Sequence, residues 1–123
     1  KYVATEQIVY SKKYNYVGTF DGLAWVDGVL TLLEYKTTNR MNVGFVYQLT
    51  GYWNAWNEEH TKQQIRQGMV LQFDKEAGEY REPILVDSLK PVFNGFLNAL
   101  RLKRSMKMVG KRVTSGRKEL LES

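Results

Sequence analysis

Asp21, Glu34 and Lys36 are spaced so that one tight turn would bring two carboxylates and an amine together. Between them runs Gly22-Leu-Ala-Trp-Val26-Asp27-Gly28-Val29-Leu-Thr-Leu-Leu33, two β-rich stretches around Asp-Gly. A type I′ turn needs positive φ at both central residues, and Asp-Gly is among the sequences that supply it most readily. With Asp27 and Gly28 at the turn, Val26 faces Val29, and counting back places Asp21 opposite Glu34. Opposed residues share a face, with Cβ atoms about 4.5–5.5 Å apart. Lys36, two residues past Glu34, points to the same face. Like charges set opposite each other destabilise a sheet, so the pairing implies a bridging cation.

The elements that must position these residues are readable along the chain. Val3–Tyr10 has the composition of a first strand, and Tyr14–Trp25 with Val29–Lys36 forms the hairpin, giving an antiparallel meander. Thr37-Thr38-Asn39-Arg40 follows, and Asn42 is a suitable N-cap for a helix to about Glu59. Val46, Leu49, Trp53 and Trp56 make an apolar stripe on that helix, expected to pack on the sheet. Gly68–Phe73 and Glu79–Val86 are the next strands, joined by a polar link containing Gly78. Asp87-Ser88 with Pro91 marks a second helix, striped by Val92, Phe93, Phe96, Leu97 and Leu100, and Gly110 is its expected stop. The order β-β-β-α-β-β-α predicts a single α/β domain over residues 1–110 with a loosely ordered basic tail over 111–123.

Asp21 in Gly18-Thr-Phe-Asp21, then Glu34-Tyr-Lys36-Thr37, then a helix carrying Gln48 and Tyr52 in Tyr47-Gln-Leu-Thr-Gly-Tyr-Trp53, resembles the PD-(D/E)XK nuclease superfamily, most closely its RecB-like exonuclease branch. Glu-x-Lys alone is common; the ordered combination is more specific, and the likeness covers roughly residues 3 to 105. The resemblance implies a restriction-endonuclease-like core: a mixed central sheet with an antiparallel hairpin, flanked by helices. It implies that Asp21 and Glu34 bind a divalent metal with the Tyr35 carbonyl as a further ligand, hard oxygen donors that suit Mg²⁺ or Mn²⁺, and that Lys36 orients or deprotonates water or stabilises developing charge. Gln48 and Tyr52, four apart and so on one helix face, would lie beside the site, although a plain helix-surface role fits their types equally. The family also places a His or acidic ligand on a helix upstream of the first strand. Here the metal shell is incomplete, or that helix is expected to precede Lys1, or Glu6 on the first strand substitutes as third carboxylate; an exposed strand Glu is the alternative reading of Glu6. Thr37 and Arg40 would contact phosphate, or serve as loop and capping residues. The implied activity is metal-dependent hydrolysis of DNA, single-stranded or at duplex ends, in recombination, repair or phage DNA processing. A non-catalytic nucleic-acid-binding module on the same fold is the runner-up, and a salt-bridged assembly domain the third reading.

Composition sets the outer limits. The 123 residues suit one domain with a real core, and 43% hydrophobic with 25% charged residues is ordinary for a globular chain. The absence of cysteine excludes disulfides and thiolate metal sites and fits a reducing, cytoplasmic setting. No apolar run approaches a membrane span, so no membrane partner is expected, whereas an oligomer or partner subunit is compatible. The net charge of +5 is polarised: residues 1–100 hold ten basic and eleven acidic side chains, residues 101–123 eight basic and two acidic. Lys103, Lys107, Lys111 and Arg112 in that segment are candidate phosphate contacts. Basic residues at a helix C-terminus are also favoured by the macrodipole alone.

Overall fold

The computed structural model describes residues 1–37 and 44–122, with side chains described through Val113. Thr38, Arg40 and Asn42 lie outside the described residues. The element order is β1 (Tyr2–Ser11), β2 (Tyr16–Val26), β3 (Val29–Lys36), α1 (Gly44–Glu59), β4 (Gln67–Asp74), β5 (Glu79–Tyr80), β6 (Ile84–Val86) and α2 (Leu89–Glu122). This is an α/β fold: a mixed, open six-stranded sheet with two helices, ordered β1-β2-β3-β4-β5, with β6 also paired to β4.

The hairpin forms where Asp27-Gly28 requires it. Both residues have positive φ, 50° and 78°, and Val26 pairs with Val29. Antiparallel pairing then proceeds through Trp25↔Leu30, Ala24↔Thr31, Leu23↔Leu32 and Gly22↔Leu33, the expected register. On its other edge β3 pairs in parallel with β4 from Thr31↔Gln67 to Lys36↔Gln72, so its last three residues keep β4 after the pairing with β2 has ended. β2 meanwhile stays beside β1 back to Tyr16. The sheet therefore forks between β2 and β3, beginning at Asp21 and Glu34.

The pleat also changes parity there. Phe20 and Leu23 are both fully buried in the core shared with α1, although an odd separation should place them on opposite faces. Gly22 faces the other way, toward Leu33 and Tyr2. β1 makes the matching adjustment at Glu6, which sits at φ +45° between the pairs Thr5↔Gly22 and Gln7↔Phe20. A left-handed residue inside a strand re-aims its neighbours, as bulges do.

α1 crosses over from β3 to the parallel strand β4 and lays Leu49, Trp53 and Trp56 on the sheet with Phe20, Leu23, Leu30, Leu32 and Val70. Its far end is fastened by polar groups that no apolar stripe announces. Glu58 accepts hydrogen bonds from the Ser11 hydroxyl at 2.7 Å, the Asn54 amide at 2.7 Å and the Lys13 N–H at 3.1 Å. The Tyr16 hydroxyl donates to the Gly51 carbonyl at 2.6 Å.

Two expectations need correction. The single strand over Glu79–Val86 is two, β5 and β6, separated around Pro83, which has no N–H for the ladder and restricts the residue before it. The second helix does not stop at Gly110. It continues as α2 to Glu122, because no Pro follows the glycine and the next residues are mostly competent helix formers. One interior Gly costs about 1 kcal/mol and does not end a helix. Through Phe93 and Leu97, α2 packs its first half on α1 and the β1–β2 turn, with Tyr14 edge-on to Phe93 and Tyr16 edge-on to Phe96.

Candidate metal centre

The two acids meet in the fork through reciprocal contacts with each other's strand. The Asp21 N–H donates to Glu34 Oε1 at 3.2 Å, and the Tyr35 N–H donates to Asp21 Oδ2 at 2.8 Å. Where the strands part, backbone N–H groups lose their ladder partners, and the carboxylates supply replacements. The carboxylates therefore stand in the cleft between strands rather than as a flat cross-strand pair. Their convergence follows from the hairpin register; their pose follows from the fork.

Glu34 is buried, 5% exposed. Burial, reinforced by the negative charge of Asp21, pushes its carboxyl up to about 7. Lys36 offsets this only in part: its Nζ is 3.7 Å from Glu34 Oε2. The same ammonium lies 4.5 Å from the centroid of the Phe45 ring, a cation–π contact that holds it at the edge of the pair. Tyr52 completes the wall. Its ring packs against Gly18, so closely that a Cβ there would come within 2.3 Å of the ring. Burial, and after it the charges of Glu34 and Asp21, push the Tyr52 hydroxyl up to about 12, keeping it a neutral hydrogen-bonding group.

Asp21, Glu34, Lys36 and Tyr52 are thus gathered in one place. Gln48 is exposed on α1, one turn before Tyr52, and Thr37 is exposed just past β3. The Tyr35 main chain belongs to the site through its N–H, while its hydroxyl pairs with that of Tyr2. Glu6 does not join: it is exposed and serves as the pivot of β1, and among the described residues no three His, Cys, Asp or Glu side chains converge. Lys103, Lys107, Lys111 and Arg112 are exposed on the distal half of α2. Neighbouring Arg104 donates to the carbonyls of Tyr14 and Asn15 at 3.3 and 2.6 Å. Asn15 is six residues along the chain from Asp21, about 20 Å at strand rise, so this basic surface is separate from the acid pair. Arg40 lies outside the described residues.

Sequence reasoning missed Phe45 and the role of Gly18. Phe45 stands at i, with Gln48 and Tyr52 at i+3 and i+7, so helical spacing alone could have placed it on the site-facing side. Gly18 was visible as part of a motif, but its use as a seat for Tyr52 depends on helix–sheet distance. No protein-family model matches the chain, and a search of curated proteins gives no match. Among the described residues, no helix is long and apolar enough to cross a membrane.

Proposed function

We propose that the chain is a divalent-metal-dependent nuclease domain of restriction-endonuclease-like fold, acting on DNA in the manner of RecB-like exonucleases. The observation that carries this reading is the Asp21–Glu34 pair at a sheet fork, with Lys36 at its edge and Tyr52 closing one side. The donor set suits Mg²⁺ or Mn²⁺: two hard carboxylates adjoin, and the buried one is held near 7 by burial and by its neighbour's charge, a strain that a cation would relieve. Asp21, Glu34 and the Tyr35 carbonyl would hold the ion. When bound, it would lower the pKa of a water nucleophile and neutralise charge on the scissile phosphate.

The remaining work falls to the protein's own groups. Lys36, held between Glu34 and Phe45, presents an ammonium to the attacking water or to the charge developing on phosphate. Tyr52, neutral across the working pH range, can donate to a phosphate oxygen without adding repulsion. The core against which Tyr52 packs, with Phe20, Leu32 and Leu49 fully buried, keeps the dielectric low on that side, which strengthens these interactions.

The test is hydrolysis of linear duplex and single-stranded DNA with Mg²⁺ or Mn²⁺ by wild type, Asp21→Ala and Lys36→Ala. Each substitution is expected to lower the rate at least about 100-fold, the scale of losing a preorganised charge or metal ligand. Undiminished cleavage by both variants removes the pair from the mechanism. DNA binding without turnover, indifferent to chelator, would make the domain a binding module instead.

A further inference from the structure

Arg104 is the last described residue of α2 hydrogen-bonded to the body, through the Tyr14 and Asn15 carbonyls, and every described side chain from Arg101 to Val113 is exposed. At about 1.5 Å per residue, the stretch from Ser105 to Glu122 runs on for roughly 27 Å. Its two faces exchange character on the way out. The line that packs inward, Phe93, Leu97 and Leu100, continues at helical spacing as Arg104, Lys107 and Lys111. On the opposite side Leu102, Met106, Val109 and Val113 form a new apolar line, exposed by 61, 63, 54 and 65%. Having the reverse orientation to the body-packing line, this stripe cannot be a continuation of α2's own core contact.

From these observations we infer that distal α2 is a docking helix for a partner protein's acidic amphipathic helix, joined as a short coiled coil. The steps of four, three and four along the stripe are those of alternating d and a positions of a heptad. The seam is narrow, whereas a helix lying in a lipid interface presents a wide apolar face with aromatic anchors, and residues 101–113 contain no aromatic residue. Flanking positions decide the partner's charge. Lys103 follows Leu102 in an e position, Arg112 precedes Val113 in a g position, and no acid occurs between residues 101 and 118. A second copy would set like charges along the seam; a helix with Glu or Asp at its e and g positions sets opposite ones. This inference stands independently of the nuclease reading, since it uses none of the fork residues.

The experiment measures binding of the whole chain to two synthetic peptides of about four heptads, both with Ile and Leu in the seam, one with Glu and the other with Lys at e and g. Fluorescence anisotropy is expected to give a micromolar Kd for the Glu peptide, at least about tenfold weaker for the Lys peptide, with the difference shrinking as salt rises. The double substitution Met106→Gln, Val109→Gln is expected to weaken the Glu peptide at least about tenfold without changing the melting temperature of the body, because both side chains are exposed. Equal affinity for the two peptides, no binding of either, or binding indifferent to the substitution overturns the inference. So does self-association in sedimentation, or attachment to phosphatidylserine vesicles or DNA, that the double substitution abolishes, since the stripe would then serve a second copy, a lipid surface or nucleic acid.

Discussion

Glu34 is the residue on which the proposed chemistry can be read without any substrate. Its folded pKa of about 7 exceeds the ordinary 4.5, so folding favours its protonated form. That contribution is complete below pH 4.5, falls as pH rises toward 7, and is gone above it. Glu34→Gln removes the titrating group. In chelator, the stability of wild type relative to Glu34→Gln should therefore drop by about 2–3 kcal/mol between pH 4 and pH 8, measured by urea unfolding. Adding Mn²⁺ at pH 8 should restore much of that loss in wild type and none in the variant, whereas a structural ion pair with Lys36 alone would leave both curves unmoved by metal.

Among the elements, the contact between β2 and α1 sets the distance from Tyr52 to the acids. Gly18 allows it, because the Tyr52 ring occupies the space a Cβ would need. Gly18→Ala should cost about 1–3 kcal/mol, the usual range for overpacking. The cost should shrink to a few tenths in a Tyr52→Ala background, and a double-mutant cycle by thermal or chemical unfolding checks this directly. Additive losses would mean the glycine matters for backbone reasons alone. At this scale much was legible. Asp27-Gly28 announced the turn because only certain residues tolerate its φ angles, and the register followed by counting. The stripe Val46–Trp56 announced the face of α1. The interruption at Pro83 and the passage of α2 through Gly110 were not legible, since a local punctuation residue acts only when its surroundings agree.

For the molecule as a whole, the basic residues of α2 and the acid pair occupy separate regions, so they should fail separately. On the proposed DNA-acting reading, with Lys107 and Lys111 as phosphate contacts, Lys107→Ala with Lys111→Ala is expected to reduce the slope of log affinity for duplex DNA against log salt by about 2, leaving the Mn²⁺-induced rise in melting temperature intact. A fall in the metal response would show that the two regions are coupled. By itself the sequence determined the hairpin, the juxtaposition of Asp21 with Glu34 and Lys36, and the charge asymmetry, because turn chemistry and strand periodicity act over neighbouring residues. Only the tertiary structure decided that the strands fork at the acids, that Glu6 is a pivot, that Phe45 and Gly18 shape the site, and that α2 runs out past the body. Each of these depends on which distant element packs alongside, and local periodicity carries no record of that.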